Sequence, residues 1–407
     1  MTAIQDFQEW FTRHGGRFHP SVRYAPDSSG FSIVTAEPVA SNATIVTCPF
    51  SLAITPSLSL RVLSDINITV TGWSERQLVC SYIVFHWIIS PETLSVFMHA
   101  PYLNTLPDAT KLRTPLHFTP EELETLKGTN MYGATMDRKR DWLAEWEKCR
   151  KDIATTNEHW AEAFTWDRYL TASTYLSSRA FPSTLLSASP SLVQTAASHP
   201  VLLPGVDALN HARAQPVSWV VNTPSLTGPS LREEPSISLQ SHIFLPAGAE
   251  VFNNYGPKPN SELLLGYGFS LPENPDDTIV LKIGGGQDTG QKWEVGRAAR
   301  GVEGLWDEIV ASVRTQRDDE AKEDEYEQWS LILDAADLLE SMSMSLLERL
   351  PVIPPRSMAP RPDVEETVSH YVRGQREVLC GLISFASKRQ AEGIELARIE
   401  GVEVEVE

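Results

Sequence analysis

The sequence predicts an α+β protein in which a mainly-β framework is interrupted by a helical insertion and followed by an α-helical domain. Three observations predict it. Short β-branched runs between turn residues occupy Phe31 to Pro56 and return from Val201, as expected of small twisted strands. Between about Glu75 and Phe181 the apolar residues take helical spacing instead, over roughly a hundred residues, far more than an ordinary loop. After Pro272-Glu273-Asn274-Pro275 two long helical patterns follow, Gln328 to Leu350 and Asp363 to Glu392, separated by the proline-rich Pro351 to Pro362.

Taken in order, Ile4 to His14 reads as an amphipathic helix with Phe7, Trp10 and Phe11 on one side. Gly15-Gly16 closes it, where a positive φ is wanted. Phe31 to Val34 and Thr44 to Thr47 are the first strands. Thr119-Pro120-Glu121-Glu122 is a helix start with Thr119 as cap, proline at the first position and Glu122 reaching back. Leu143, Trp146, Trp160 and Phe164 are core positions of the insertion. Strands return at Val217 to Asn222, Ile237 to Leu239 and Glu250 to Phe252. The charged run Arg317 to Glu327 is a solvated loop or helix face, and the tail Glu400 to Glu407 is frayed.

Composition narrows the function classes. A chain of 407 residues, 42% hydrophobic and 21% charged, is long enough for two or three cores. Met1 to Trp10 lacks a signal-peptide pattern and no segment approaches the roughly 18 apolar residues of a membrane span, so the expected location is the cytoplasm, the nucleus or both. The formal charge of -19 opposes binding to a phosphate backbone and suits a basic partner. Cys48, Cys80, Cys149 and Cys380 stand far apart and read as buried free thiols, with neither a disulfide framework nor a zinc knuckle. There is no G-x-S-x-G elbow and no H-E-x-x-H, which disfavours serine hydrolases and zinc enzymes; no metal is expected. Gly284-Gly285-Gly286 lacks the helix-opening context of a phosphate cradle.

The stretch from Val251 to Phe269 sets Tyr255 and Tyr267 among apolar residues with little else that ionises. Tyr255 stands at the end of a Val251 to Asn254 strand and before Gly256, which permits a sharp turn. On local sequence alone it is equally a packed tyrosine with its hydroxyl on a backbone carbonyl. Upstream lie Asp207-Ala208-Leu209-Asn210-His211 and Ser177-Ser178-Arg179-Ala180-Phe181, and near the start Gly30-Phe31-Ser32. A lone His after Asn is otherwise a turn or satisfied core histidine. An isolated Arg at a helix end is otherwise a cap or surface group.

In their order and spacing from Phe31 to Phe269, these segments resemble the SET-domain lysine methyltransferases. Within them, the likeness is to the branch typified by the Rubisco large-subunit methyltransferase and the ribosomal-protein lysine methyltransferases. That resemblance implies a SET domain with a knot-like core over 17–270, a helical insertion over about 75–181, and an α-helical substrate-binding domain over 271–407. It also implies an S-adenosyl-L-methionine cofactor and a protein substrate with a target lysine, ribosomal, histone-like or otherwise basic, without direct contact to nucleic acid or membrane. Tyr255 matches the tyrosine near the transferred methyl group, and it would touch cofactor as well as orient the amine. Gly30, Ser32, Arg179, Asp207, Asn210 and His211 match cofactor-binding positions, Arg179 suiting the cofactor's carboxylate as a guanidinium fork. Tyr267 and Phe269 match the aromatic element that shapes the lysine channel; as a helix-end pair they also serve the core. Ser32 departs from the family's Gly-x-Gly. That departure sustains a second reading, a non-catalytic SET-fold module that binds a protein partner. A monomer is expected in either case.

Overall fold

A computed structural model describes residues 2–27, 30–89, 96–187, 189–193, 195–223, 234–283, 291–320, 327–352 and 361–404. Gly284-Gly285-Gly286 and residues 321–326 of the charged run lie outside the described residues. The amino-terminal elements are α1 (Ala3–Arg13), β1 (Arg17–Phe18), β2 (Val22–Pro26), β3 (Phe31–Thr35) and β4 (Ala43–Pro49). Helices follow as α2 (Pro56–Asp65), α3 (Glu75–Phe85), α4 (Ala100–Leu103), α5 (Pro120–Glu124), α6 (Asn130–Ala154), α7 (Glu158–Ala163) and α8 (Trp166–Arg179). Strands resume as β5 (Phe181–Pro182), β6 (Pro200–Val201), β7 (Val217–Asn222) and β8 (Ser236–Ser241). The remainder is α9 (Asn260–Tyr267), β9 (Thr278–Lys282), β10 (Lys292–Gly296), α10 (Glu303–Glu320), α11 (Gln328–Arg349) and α12 (Pro362–Ile399). Two compact units result, Met1–Leu112 with Asp137–Pro257, and Arg113–Met136 with Lys258–Glu407.

In the first unit, α1 begins with Thr2 capping the Gln5 amide while the Gln5 side chain returns to the Thr2 amide, which satisfies two donors that a helix start otherwise exposes. Its apolar face, Phe7 and Phe11, is fully buried, and the Phe7 ring centroid lies 6.1 Å from that of Tyr24 and 6.1 Å from that of Tyr102. The main sheet is antiparallel in the order β1-β4-β8-β7, and β2 pairs with β3 in a separate hairpin that sets Ala25 opposite Ser32. In the insertion Phe164 is buried, whereas Leu143, Trp146 and Trp160 are only half-buried and Trp142 takes the deeper place under the Arg76 guanidinium at 4.2 Å.

The strand expected at Glu250 to Phe252, and its extension to Asn254, is not formed as a ladder. Residues 249–254 change partner too often: the Thr35 amide donates to the Ala249 carbonyl (2.9 Å) and the Val251 amide to Ile33 (2.8 Å). Two residues later the Asn253 amide donates to the Asn210 carbonyl (2.7 Å) and the Ala212 amide to Asn253 (2.9 Å). One extended segment thus joins β3 on one side to the 210–212 loop next. A second correction concerns the thiols. Cys48, Cys80 and Cys149 are buried, but Cys380 is exposed, because it falls on the outward face of α12 while Leu379 and Leu382 point inward.

A buried polar cluster lies within the insertion and joins it to Leu52. The Tyr82 hydroxyl meets His99 Nδ1 at 2.6 Å, His99 Nε2 reaches the Leu52 carbonyl at 3.1 Å, and His86 Nδ1 meets the Tyr82 carbonyl at 2.8 Å. Burial holds His86 down to about 4, against the Tyr82 carbonyl, and holds His99 down to about 3, with His86 adding to the effect. Both rings therefore stay neutral in the fold. Below the ordinary value near 6.5 the unfolded chain takes up protons that the fold refuses, so stability falls as pH drops toward those values. At about pH 5 each ring costs about 2 kcal/mol relative to pH 7. Urea unfolding followed by tryptophan fluorescence should show the midpoint decline between pH 7 and 5; an unchanged midpoint contradicts this.

The second unit has its own core, in which Leu264, Leu305, Ile309, Leu339, Leu379 and Leu382 are fully buried. The helix start at Thr119 forms as expected, with the Glu122 carboxylate on the Thr119 amide at 3.0 Å. Glu122 also receives the Arg361 guanidinium at 2.7 Å and 2.8 Å. The hairpin β9–β10 and helix α10 go beyond the sequence expectations, although Leu305, Ile309 and Val313 sit four residues apart on the buried face of α10. Among the described residues, no helix is long and apolar enough to cross a membrane.

Candidate active site

The crossing of the 249–255 segment with the 207–212 loop gathers most of the expected site residues in the first unit. Tyr255 is held three ways. Its amide donates to His211 Nδ1 at 3.0 Å, its ring stacks on the His211 imidazole with centroids 5.0 Å apart, and its hydroxyl donates to the Leu209 carbonyl at 2.9 Å. Because the Tyr255 amide donates to Nδ1, that nitrogen is the lone-pair side of a neutral imidazole. The hydroxyl-to-carbonyl bond is the packed arrangement that local sequence allowed, and it fixes the phenol on the Leu209 carbonyl.

Arg179 ends α8 and reaches the Asp207 backbone carbonyl at 3.0 Å and its carboxylate at 3.4 Å, both through Nη1. Asp207 sits on a short turn entered through Gly205, whose φ of 80° favours glycine. The Tyr102 hydroxyl donates to the same carboxylate at 2.6 Å. Burial pushes the Asp207 carboxyl up, against the opposing pull of Arg179 and of the Tyr102 hydrogen bond. Burial, and then the Asp207 charge, push the Tyr102 phenol far above its ordinary value, so it remains a donor. The Arg179 side chain keeps 24% exposure against 1% for Asp207, and the remaining N–H groups of its five-donor fork can serve a ligand.

Arg179, Asp207 and Tyr102 border a small open cleft, with Tyr24, Phe31, Pro107 and Ala208 also among its walls. Tyr255 is not a wall residue; its hydroxyl anchors on Leu209, the neighbour of Ala208. Gly30 takes φ +145, a conformation side chains rarely adopt, with the Pro107 side chain 3.5 Å from where a Cβ would stand. Behind it, the Ser32 hydroxyl donates to Asp27 and accepts from Asn210 Nδ2 at 3.3 Å, and Asn210 Nδ2 also donates to Glu250 at 2.8 Å. A cleft with aromatic walls and a guanidinium, with Gly30 set against its wall residue Pro107, fits the aromatic and carboxylate ends of an adenosyl amino acid in its chemistry.

Tyr267 and Phe269 belong to the second unit. Their rings meet edge to face at 6.1 Å, and the Lys258 ammonium lies 5.8 Å from the Tyr267 ring centroid. Burial raises the Tyr267 phenol, with Lys258 opposing. The corner between them turns at Gly268, φ +85, where a Cβ would come within 2.8 Å of the Arg113 and Thr114 backbone. Asn260, the first residue of α9, pins the far side by exchanging bonds with the Leu271 backbone at 2.8 and 2.9 Å, and Asp277 receives the Asn260 amide at 2.8 Å.

Sequence reasoning missed Asp27, Tyr102 and Glu250. Asp27 and Tyr102 carry no local signal, since Tyr102 meets Asp207 across a hundred residues of intervening chain; Glu250 directly precedes the informative stretch and could have been flagged as its only nearby carboxylate on the upstream side. Among the described residues, no three His, Cys, Asp or Glu side chains are grouped to hold a metal ion.

No family model matches the chain. Over 277 residues it is 30% identical to the ribosomal lysine N-methyltransferase set10 of Schizosaccharomyces pombe, covering 67% of this chain and 46% of that protein. It is 29% identical over 215 residues to ribosomal lysine N-methyltransferase 1 of Saccharomyces cerevisiae, covering 45% of this chain and 34% of that protein. The structure of Rubisco LSMT bound to AdoMet aligns over 97% of this chain and 94% of that one with a TM-score of 0.72, at 17% identity. The solved SET domain of Rubisco LSMT therefore shows the fold of this chain. Its fold is the α+β SET fold expected from the sequence. This SET chain spans less than half the length of the two curated relatives named here.

Proposed function

We propose that the chain is an S-adenosyl-L-methionine-dependent protein-lysine N-methyltransferase whose substrate is a ribosomal or another basic protein. The observation that carries this reading is Tyr255 stacked on His211 with its hydroxyl on the Leu209 carbonyl, next to the cleft that Arg179 and Asp207 line. The names of the relatives point the same way. The bound cofactor supplies a methyl group on a sulfonium sulfur, open to in-line attack.

The attacking lysine amine must be neutral, although free lysine titrates near 10.4, so at neutral pH only about one side chain in a few thousand is ready. That fraction corresponds to roughly 4 to 5 kcal/mol. Aromatic walls disfavour the ammonium form by desolvation, and positioning supplies much of the remainder. Tyr255 and the Leu209 carbonyl are the groups suited to orient the amine, because neither ionises near neutral pH. Arg179 holds the carboxylate end of the cofactor and Asp207 holds Arg179; Gly30, Ser32, Asn210 and His211 complete the cofactor side. Tyr267 and Phe269 line the lysine channel. On this reading the SET domain runs over 17–270 and a helical substrate-binding domain over 271–407, the protein acts as a monomer, and it works in the cytoplasm, the nucleus or both.

The second reading, a SET-fold module that binds a protein without transferring methyl, rests on Ser32 at the expected glycine position. Incubating the purified chain and isotope-labelled cofactor with a cell lysate, then mapping label by mass spectrometry, separates the two. Label on lysine side chains of a basic protein is the expected result; label nowhere, at cofactor concentrations that saturate binding, favours the module.

A further inference from the structure

We propose that Ser32 and Glu250 are positioning residues that lock the Asn210 amide with its oxygen toward the cofactor's amino-acid end. This inference rests on the cofactor reading above. A carboxylate can only accept, so the Glu250 contact at 2.8 Å requires the nitrogen of the Asn210 amide, not its oxygen, to face that side. The second hydrogen of Nδ2 goes to the Ser32 hydroxyl at 3.3 Å. That hydroxyl can receive it because its own proton is committed to Asp27. The result is a directed chain, Asn210 to Ser32 to Asp27, with Glu250 fixing its first member.

Backbone pairings frame the lock. Ser32 is 7% exposed and pairs with Ala25 across the β2–β3 hairpin. The Asp27 amide returns to the Gly30 carbonyl at 3.1 Å. Glu250 bridges to Val34 of the same strand, and the Asn210 carbonyl takes the Asn253 amide at 2.7 Å. With both amide hydrogens used, the side-chain atom that Asn210 offers is Oδ1, an acceptor. An acceptor suits the donor-only α-ammonium of the cofactor's methionine portion, just as the Arg179 fork suits its carboxylate. Serine at this position therefore replaces the bare backbone of glycine with a hydroxyl that orients a neighbouring ligand group. Its hydroxyl points to Asp27 and Asn210 and is spent there.

The test compares Ser32→Gly and Glu250→Ala with the unaltered full chain by calorimetric titration of three ligands. S-adenosylmethionine and S-adenosylhomocysteine carry the α-ammonium; 5′-methylthioadenosine lacks the whole amino-acid end. Expected is a loss of about fivefold in affinity for the first two in Ser32→Gly and about tenfold in Glu250→Ala, the scale of one or two hydrogen bonds. Affinity for 5′-methylthioadenosine should stay within about twofold, and the equal loss for S-adenosylhomocysteine excludes a simple effect of Glu250 on the sulfonium charge. Equal weakening of all three ligands, unchanged binding in both variants, or tighter binding by Ser32→Gly overturns the lock. If the unaltered chain binds none of the three, the cofactor reading itself fails, which is a different result.

Discussion

Replacing Tyr255 with phenylalanine is expected to lower methyl-transfer turnover by about a hundredfold or more, the scale of removing one aligned hydrogen-bonding group from a transition state, while changing cofactor affinity only a few-fold. The split follows from how the ring is held. Its stack on His211 at 5.0 Å and its amide bond to His211 Nδ1 at 3.0 Å do not involve the hydroxyl, so the ring keeps its place. What disappears is the hydroxyl that donates to the Leu209 carbonyl at 2.9 Å. Single-turnover rates with a saturating acceptor, beside cofactor titration, measure the two effects separately. Turnover like that of the unaltered chain would remove Tyr255 from its role.

Arg179→Leu is expected to damage both stability and cofactor binding. Asp207 is buried, and among the described residues its carboxylate keeps the Tyr102 hydroxyl as its side-chain donor once the guanidinium is gone. Breaking one partner of a buried pair costs about 3 kcal/mol or more, because the remaining charge stays out of water. That cost lowers the melting temperature by several degrees for a chain of this size, roughly 2 to 4 °C per kcal/mol. Affinity for S-adenosylmethionine should drop at least about tenfold beyond the loss for 5′-methylthioadenosine, since only the former offers a carboxylate to the fork. Arg179→Lys should recover part of the stability and little of the affinity, because an ammonium keeps the charge and loses the planar geometry. A Leu variant as stable as the parent, or one that binds both ligands equally well, contradicts the assignment.

Much of the fold was legible because its elements state their ends in the sequence. Thr119 with Pro120 and Glu122 formed the capping box that the pattern predicts, and α1 and α11 start and stop within a residue or so of their expected bounds, while α12 runs on to Ile399. Glu250 to Asn254 was misread for a physical reason. Its alternation is that of a strand, yet its bonds are shared between β3 and the 210–212 loop, and periodicity does not say how many partners a segment has. Cys380 shows the converse, a residue type that is usually buried set on the wrong face of a helix.

The site divides in the same way. The order of Arg179, Asp207, Asn210, His211 and Tyr255 was visible in the sequence, and in the first unit Arg179 bonds Asp207, Tyr255 bonds and stacks on His211, and Asn210 bonds Ser32 and Glu250. What no local pattern announced was the support beneath them. Tyr102 comes from the helical insertion to Asp207, Glu250 accepts from Asn210 directly, and Asp27 is linked to Asn210 through the Ser32 hydroxyl. Long-range polar partners have no spacing rule, so a one-dimensional reading finds the residues that meet a ligand before those that hold them in place.

The most direct measurement is calorimetric titration of S-adenosyl-L-methionine into the unaltered full chain. The account predicts saturable binding at one site per chain, lost in large part in Arg179→Leu and retained in Tyr255→Phe. A folded chain that binds no S-adenosyl-L-methionine would contradict it and leave the protein-binding module as the better description.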